Sequence, residues 1–266
     1  FFFISLLMSQ TNSDLYKNKK LIRLHSSDEF LLDSLLRFNI NSISCRGSIL
    51  QSELIVDDEI IAWLNNQGIS FSVLSDDMEK MILSEMNRIE RRKQHRSSNF
   101  FSTYRDLTEI ESKIELLVED SDIVFREIIG QSYEGRNISV IKISVENDVA
   151  NKPAIMINSC QHAREWISPM ATIYLIESLS QNFDNDINMM LGEVDIYIVP
   201  VVNPDGYAYT WEKDRWWRKN RQPNNNNDCF GTDLNRNWNF DWNGNESTSE
   251  DPCSQIYVGL TPFSAP

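Results

Sequence analysis

Short apolar runs and helical stripes alternate in the first part of the chain and predict a small α+β unit over residues 19–95. Apolar residues form short runs at three places, which predicts strands at 21–24, 53–56 and 69–74. They recur with helical spacing at three others, which predicts helices at 29–38, at 58–66 and along the stripe from Met78 to Ile89. Ser75 is the expected N-cap of the last helix, and acidic residues follow it in the first turn.

A second segment, from about residue 100 onward, has an order of elements that is typical of an α/β sheet. A helical stripe begins near Thr108, which has capping-box spacing with Glu111, and strands are expected at 123–129 and 138–144. They are followed by a short apolar strand at 154–158, a long amphipathic helix at 166–182 and a nearly continuous apolar run at 194–202. Strand, helix and buried strand in this order predict a mixed, partly parallel sheet flanked by helices.

Composition and charge narrow the classes of function. The chain has 266 residues, 41% of them hydrophobic, and a formal net charge of −14. A packed core is therefore expected, whereas nucleic acid and anionic membranes are poor partners because both attract basic surfaces. Residues 1–8 are apolar but too few to span a bilayer. We interpret them as part of a secretory signal peptide, and an apolar fragment boundary is the alternative.

The cysteines and glycosylation sequons are compatible with secretion. The chain has four cysteines, and N-x-S sequons occur at Asn137 and Asn245. A secretory route would allow both disulfides and glycans. Sequons also arise by chance, so they support secretion only weakly.

A cluster of basic residues lies at the end of the helix that carries the stripe from Met78 to Ile89. It consists of Arg88, Arg91, Arg92, Lys93 and Arg96. Cations are favourable at a helix C-terminus by themselves, so a solvated helix end explains the cluster. A processing site for a trypsin-like protease explains it equally well, since the polar stretch 97–99 follows as a break.

The sharpest chemical pattern is the run His162-Ala163-Arg164-Glu165-Trp166, which lies after a predicted strand and opens a predicted helix. Ligands and reactive groups of α/β sheets gather at the carboxyl ends of strands, and side chains three residues apart share a face of a helical turn. Imidazole and carboxylate are ordinary zinc ligands. The motif is loose when taken alone, and a capped, solvated helical turn is then the better explanation.

Three downstream motifs change that balance: Asn203-Pro204-Asp205-Gly206, Trp216-Trp217-Arg218-Lys219 and the run at 231–238, Gly-Thr-Asp-Leu-Asn-Arg-Asn-Trp. Together with the run at 162–166, and in this order and spacing, they resemble the M14 metallocarboxypeptidases, the carboxypeptidase A and B family. The resemblance implies a partial signal peptide and leader at 1–18, a small α+β activation propeptide at 19–96 and the N-terminal part of a catalytic domain at 97–266.

The resemblance also implies roles for individual residues. His162 and Glu165 stand where the family has two of its three zinc ligands. Arg218 resembles the arginine that stabilises the oxyanion of the tetrahedral intermediate. Substrate binding is implied for Arg164, Asn235 and Arg236. The last two resemble the pair that grips the C-terminal carboxylate, for which a planar guanidinium is well suited. Without the motifs, each arginine would be interpreted as one half of a surface ion pair.

Two of the cysteines also match the family. Cys229 and Cys253 stand where it has a disulfide, which would close a loop of about 25 residues and contribute roughly 3 kcal/mol. Two separate thiols are the alternative. Cys45 and Cys160 have no evident partners in the family, and Cys160-Gln161 replaces the small apolar pair that is expected before the histidine.

Part of the family's machinery is absent from this sequence. The chain has three histidines, His25, His95 and His162, so none follows the motif at 162–166. The resemblance implies that the third zinc ligand, the catalytic glutamate and the specificity pocket come from a later part of the domain. We therefore expect a stretch of a longer zymogen, inactive as given, whose parent hydrolyses C-terminal residues of peptides and proteins with zinc. A naturally truncated product is the alternative.

The expected partners follow from the same resemblance. They are peptide or protein C-termini and an activating trypsin-like protease, and we expect a secreted monomer without a membrane span. A function of another class stays open, namely a peptide-binding or decoy protein that captures a C-terminal carboxylate without metal or cleavage. A third hypothesis is that the N-terminal segment inhibits carboxypeptidases in trans. Zinc stoichiometry and turnover separate the first two.

Overall fold

A computed structural model describes residues 14–25, 35, 40–42, 53–95, 99–145, 152–181, 184–224, 228–244 and 248–265. These residues divide between two compact units. The first is drawn from 1–91, 211–216 and 223–265, and the second from 92–210 and 217–222. Most of the helix predicted at 29–38 lies outside the described residues, as do the apolar run at 1–8, Cys45, Arg96 and Asn245.

Among the described residues, the first unit contains a four-stranded antiparallel sheet and two helices with defined bounds. Its strands are β1 (Lys20–Leu24), β2 (Asn41–Ser42), β3 (Glu53–Val56) and β4 (Phe71–Ser75), in the spatial order β2-β3-β1-β4. Its helices are α1 (Asp58–Asn66) and α2 (Met78–Gln94), and the last turn of α2 belongs to the second unit. The strands predicted at 21–24 and 53–56 and the helix predicted at 58–66 are confirmed.

The predicted strand at 69–74 begins later because α1 ends in a Schellman motif. Gly68 has a φ of +68°, and the Ile69 N–H donates to the Leu64 carbonyl at 3.0 Å. The backbone at 68 and 69 therefore closes the helix, and strand β4 starts only at Phe71.

The N-cap predicted for α2 is wrong by two residues. The Asp77 carboxylate accepts a hydrogen bond from the Lys80 N–H at 2.9 Å, which satisfies a donor of the first turn. The Ser75 hydroxyl instead donates to the Asp77 carbonyl at 3.1 Å. A carboxylate adjacent to the helix start therefore takes the position that the hydroxyl was expected to fill.

Two apolar clusters lie on the two faces of the first sheet. Alternate residues of a strand point to opposite faces, and the clusters follow that alternation along β1. Ile22 and Leu24 pack in one cluster with Leu64 of α1, and Leu21 packs in the other with Met78 of α2. The α+β prediction for this part of the chain rests on the same alternation.

The second unit is built on a mixed sheet. Its strands are β5 (Val124–Gln131), β6 (Asn137–Ile143), β7 (Ala154–Asn158) and β8 (Asp195–Val199), in the order β5-β6-β8-β7. Strands β7 and β8 are parallel and the other neighbours antiparallel. Its helices are α3 (Leu107–Glu119), α4 (Ile167–Gln181), α5 (Asn185–Glu193) and α6 (Pro204–Glu212). The last two residues of α6 belong to the first unit. The predicted mixed, partly parallel sheet flanked by helices is confirmed.

Helix α3 has a capping box, but not the predicted one. The Asp106 carboxylate accepts from the Glu109 N–H, and the Glu109 carboxylate accepts from the Asp106 N–H, both at 3.0 Å. Thr108 and Glu111 have the same spacing but lie inside the helix. The helix thus begins one residue before Thr108, because the charged pair satisfies the first backbone donors.

Helices α5 and α6 were not predicted from the sequence. Helix α6 begins at Pro204, a residue that is favourable in the first turn because its missing N–H would have no partner there. Among the helices of the described residues, none combines the length and the apolar character that a membrane crossing requires.

The parallel pair β7 and β8 fixes where the loops of interest begin. The two strands end at Asn158 and Val199, which are paired in register. Backbone hydrogen bonds continue beyond the strands, from the Ser159 N–H to the Val199 carbonyl and from the Val202 N–H to the Ser159 carbonyl, both at 3.0 Å. The loops that follow the two strands therefore start side by side at one edge of the sheet.

A partly buried ion cluster holds the amino end of β8. The Asp195 carboxylate accepts from the Ser144 hydroxyl at 2.5 Å and lies 3.0 Å from Lys142 Nζ and 3.4 Å from Lys152 Nζ. Burial by itself raises the pKa of this carboxyl, but the hydrogen bonds and the two lysine charges outweigh burial and hold the pKa below its usual value. The ionised form is therefore the one that stabilises the fold.

We expect Asp195→Asn to lower the free energy of unfolding at neutral pH by about 1–3 kcal/mol, because a charged hydrogen-bonding partner is lost. Since the folded-state pKa lies below the unfolded one, this stabilisation is present above the ordinary aspartate pKa and disappears as the pH falls through the folded value. Urea unfolding at neutral and acidic pH measures it, with the exposed Asp122→Asn as control. If Asp195→Asn lowered the free energy of unfolding equally at both pH values, the stabilisation would not depend on the ionised form of Asp195.

Candidate functional site

His162 and Glu165 meet in a tight turn between β7 and α4. The Glu165 N–H donates to the His162 carbonyl at 3.2 Å, and the Ser168 N–H and hydroxyl both donate to the Glu165 carbonyl. The Ser168 hydroxyl also accepts from the Cys160 N–H at 3.1 Å, which ties the turn to the start of α4. As a result, His162 Nδ1 lies 2.9 Å from Glu165 Oε1.

The two side chains have the chemistry of zinc ligands and lie within hydrogen-bonding distance of each other. Ligand atoms at roughly 2.0–2.2 Å from a tetrahedral zinc ion lie about 3.3–3.6 Å apart. His162 Nδ1 and Glu165 Oε1, now 2.9 Å apart, would therefore separate slightly to hold the ion. His162 is buried and the Glu165 side chain is 37% exposed, so solvent reaches the pair from the side of Glu165. Within the described residues no group of three histidine, cysteine or acidic side chains is arranged to hold a metal. The pair therefore fits two of the positions that a zinc ion needs.

Arg218 lies beside this pair. Its guanidinium is almost fully buried, and its Nη1 is 3.9 Å from Glu165 Oε1. Its backbone carbonyl accepts a hydrogen bond from the Ala163 N–H at 3.0 Å, so the turn at 162–165 and the segment at 217–222 are joined directly. The second unit thus brings together three of the side chains that the sequence singled out. Arg164 is buried in the same turn.

Asn235 and Arg236 belong to the first unit and occupy a short 3-10 turn, Leu234–Arg236. The Asp233 carboxylate caps this turn by accepting from the Asn235 N–H at 3.0 Å, and the Arg236 N–H donates to the Asp233 carbonyl at 2.9 Å. Asp233 is fully buried, whereas the Asn235 side chain is exposed. The cap therefore holds the two neighbouring side chains on a fixed backbone.

Asn237 organises the loop around that turn. Its Nδ2 donates to the Val258 carbonyl at 2.7 Å and to the Thr261 carbonyl at 2.8 Å. Its Oδ1 accepts from the Ala265 N–H at 2.9 Å. Gly259 has a φ of +86°, and a Cβ there would lie 2.6 Å from Asn237 Nδ2, so this position needs glycine.

A disulfide joins Cys229 and Cys253 in the first unit, as the family resemblance implies. It closes a loop with a sequence separation of 24. Loop closure of this length stabilises a fold by roughly 3 kcal/mol, chiefly by restricting the unfolded chain. The turn that carries Asn235 and Arg236 lies inside the closed loop.

Asp205 is a buried side chain whose role the sequence analysis missed. Its carboxylate accepts from the Ser132 hydroxyl at 2.6 Å and the Glu134 N–H at 2.9 Å, and it pairs with Arg136 Nη1 at 2.8 Å. These partners form the turn between β5 and β6, about 70 positions earlier in the chain. Asp205 therefore fixes α6 to that turn, and the only signal for it in the sequence was its place in the Asn-Pro-Asp-Gly motif.

Cys160 lies two residues before His162 with its thiol buried. The residue has a φ of +57°, in the left-handed region that non-glycine residues seldom adopt. Burial raises the pKa of the Cys160 thiol, and the negative charge of Glu165 raises it further. Within the described residues Cys160 forms no disulfide. The thiol is therefore held in its neutral form.

Comparisons with known proteins point to one family. A profile of the zinc carboxypeptidase family matches residues 110–266. Carboxypeptidase B2 of Rattus norvegicus is 40% identical over 213 residues, which cover 79% of this chain and 50% of that protein. The chain thus spans about half the length of the curated relatives it matches.

The fold also superposes on solved structures over most of the chain. Carboxypeptidase A from Helicoverpa armigera superposes with a TM-score of 0.81 at 26% identity, over 95% of this chain and 64% of that one. Thrombin activatable fibrinolysis inhibitor superposes with a TM-score of 0.78 at 33% identity, over 94% and 66% of the two chains.

The burial of Cys160 predicts very slow alkylation of the native protein. In a Cys45→Ser background, we expect iodoacetamide to modify Cys160 at least about a hundredfold more slowly in buffer than in denaturant, because the reactive thiolate is scarce and inaccessible. Intact-protein mass spectrometry over time measures the rate, and a Cys45→Ser/Cys160→Ser variant gives the background. Comparable rates in both conditions would show that the thiol is open to solvent.

Proposed function

Since the chain belongs to the zinc carboxypeptidase family, we propose that it supplies two zinc ligands and the oxyanion-stabilising arginine of an enzyme that removes C-terminal residues from peptides. The observation that carries this proposal is the 2.9 Å separation of His162 Nδ1 and Glu165 Oε1, with the buried Arg218 beside them. Three groups of suitable chemistry converge at the carboxyl end of β7, where ligands of α/β sheets are bound.

His162 and Glu165 would hold the metal, with a neutral imidazole nitrogen and a carboxylate oxygen as donors. The chemistry that zinc supplies when bound is polarisation of the scissile carbonyl and activation of a water molecule. The hydrogen bonds of Ser168 to the Glu165 carbonyl keep the turn, and so both donors, in a fixed orientation. Preorganised ligands cost little reorganisation when the metal binds.

Arg218 would stabilise the negative charge that develops on the carbonyl oxygen of the substrate. Its guanidinium is 2% exposed, and a cation acts more strongly on a nearby oxyanion in such a water-poor environment. Its Nη1 lies 3.9 Å from Glu165 Oε1, so the cation is close to the proposed metal ligands.

Asn235 and Arg236 would recognise the free carboxylate of the substrate, with Arg164 contributing further out. A planar guanidinium offers two parallel donors to a carboxylate, and the Asn235 amide adds a neutral donor. Support comes from the capped turn in which Asn235 and Arg236 are neighbours. Preference for acidic, basic or aromatic C-terminal residues does not follow from these contacts.

A third zinc ligand and a general base would have to come from residues other than the described ones. Catalytic zinc sites have three protein ligands, so we propose that this chain alone binds zinc weakly and does not turn over. A metal-free peptide binder remains the rival function, and no contact among the described residues favours it. It predicts peptide binding that zinc does not strengthen.

Residues 19–96 would be the activation propeptide and residues 97–266 the start of the catalytic domain. The end of α2 is consistent with a connecting segment, because Arg92 Nη1 donates to the Ser102 carbonyl at 2.9 Å and Lys93 Nζ lies 2.5 Å from Glu109 Oε2. Arg88 and Arg91 are exposed on the same helix. A trypsin-like protease would act within this basic cluster once the helix end opens.

Zinc binding tests the proposed ligands. We expect His162→Ala and Glu165→Gln each to weaken zinc binding by more than the roughly 10–100-fold that loss of an outer-sphere partner costs, because a donor atom itself is removed. His25→Ala is the matched control, since that imidazole contacts Ser72 Oγ in the first unit. Competition with a chromophoric chelator gives the affinities. Equal losses in all three variants, or no zinc binding by the unmodified chain, would contradict the proposal.

Secretion is the proposed route, supported by the Cys229–Cys253 disulfide and by exposed Asn137 at the first residue of β6. We expect the natural protein to be recovered outside the cell with a glycan on Asn137, because the sequon lies on an exposed strand end. Peptide-N-glycosidase converts a glycosylated asparagine to aspartate. When the digestion is done in water labelled with heavy oxygen, peptide mass spectrometry detects the converted residue. Recovery of the protein only from the cytosol, with Asn137 unmodified, would refute this route.

A further inference from the structure

Asn203 lies between the two loops that carry the candidate active site. It follows β8 and precedes α6, and its side chain is 2% exposed. Its Nδ2 donates to the Gln161 carbonyl at 3.1 Å and to the Lys219 carbonyl at 3.0 Å. Its Oδ1 accepts from the Gly206 N–H at 2.9 Å. Every polar atom of the side chain therefore has a partner, and two partners lie on different loops.

The two carbonyls that Asn203 holds are adjacent to the reactive residues. The Gln161 carbonyl belongs to the peptide bond that leads into His162, and Lys219 directly follows Arg218. The amide thus sets the separation between the backbone at His162 and the backbone at Arg218. The Ala163 N–H to Arg218 carbonyl bond, at 3.0 Å, is the second link between the same loops and depends on the same separation.

Gly206 shows how closely the amide is enclosed. A Cβ at this position would lie 2.6 Å from both Nδ2 and Oδ1 of Asn203 and 2.7 Å from the Lys219 carbonyl. These distances are too short for any side chain, so glycine is required by the approach of the amide. The Gly206 N–H also fixes which end of the amide faces the carbonyls, because only the oxygen can accept its hydrogen bond.

We propose that Asn203 is a positioning residue that couples the zinc-ligand turn to the oxyanion arginine. The proposal rests on the proposed function for the roles of His162 and Arg218, but the coupling itself is a property of the loops. Asn203→Asp keeps the shape of the side chain while replacing the donor of both hydrogen bonds with an oxygen that faces two carbonyls. We expect the two loops to move apart locally, because this oxygen repels the carbonyls. The hydrogen bond from the Ala163 N–H to the Arg218 carbonyl is then weakened.

Amide hydrogen exchange by NMR tests the coupling without metal. In the full chain carrying Asn203→Asp, the protection of the Ala163 amide should fall by about tenfold or more, because loss of a buried hydrogen bond opens the loop locally. Amides within β8, such as that of Ile198, should keep their protection relative to global unfolding. Asn203→Ser retains one donor and should give a smaller loss, and it serves if the aspartate variant does not fold.

Asn237→Asp is the matched control. Asn237 is also buried and also bridges two carbonyls, but those carbonyls belong to the first unit. It should leave the protection of the Ala163 amide unchanged. An unchanged Ala163 amide in the Asn203 variants, or a fall shared equally by Ile198, would overturn the positioning role, since a purely structural residue affects both amides alike.

Zinc affinity separates this proposal from the one on which it rests. If the unmodified chain binds zinc, Asn203→Asp should weaken the affinity by roughly tenfold, the lower end of what outer-sphere partners contribute, and Asn237→Asp should not. If Asn203→Asp binds zinc as tightly as the unmodified chain does, Asn203 does not position the zinc ligands. If the unmodified chain binds no zinc, the proposed metal centre fails, and hydrogen exchange alone decides whether Asn203 couples the loops.

Discussion

Parallel pairing of β7 with β8 is the constraint on which the rest of the site depends. The register joins Asn158 to Val199, so the two strands end together and their loops leave from the same edge of the sheet. The hydrogen bond from the Asn203 N–H to the Cys160 carbonyl, at 3.2 Å, continues this pairing into the loops. A shift of one residue in this register would reverse the faces of β7 and carry the His162 turn away from Arg218.

Buried charge is the second feature that distinguishes the site. The chain is strongly acidic overall, yet Arg215, Arg218 and Lys219 lie almost fully buried within a few residues of one another. Burying a cation costs free energy unless opposite charges and hydrogen bonds compensate it, and Glu165 Oε1 is one opposite charge, 3.9 Å from Arg218 Nη1. This burial is favourable for the role that we propose for Arg218, since a preorganised cation acts most strongly where water is excluded.

Local patterns predicted most of the fold, but they misplaced two helix caps and gave no role to residues whose partners are distant in sequence. The strands at 53–56 and 154–158 and the helix at 58–66 were predicted with their observed bounds, because apolar runs and stripes define them. The caps at Ser75 and Thr108 were wrong, because a nearby aspartate was the stronger acceptor in each case. Asp205 and Asn203 could not be assigned roles, since the partners that define those roles lie on other loops of the chain. Residue roles came from the family resemblance and not from periodicity.

We propose above all that His162 and Glu165 converge on one divalent cation. Anomalous diffraction at the zinc edge, from crystals of the chain equilibrated with zinc, tests it most directly. We expect one zinc ion at about 2.0–2.2 Å from both His162 Nδ1 and Glu165 Oε1, on the side of the turn that faces Arg218. Zinc bound elsewhere on the chain, with these two atoms still hydrogen-bonded to each other, would contradict it.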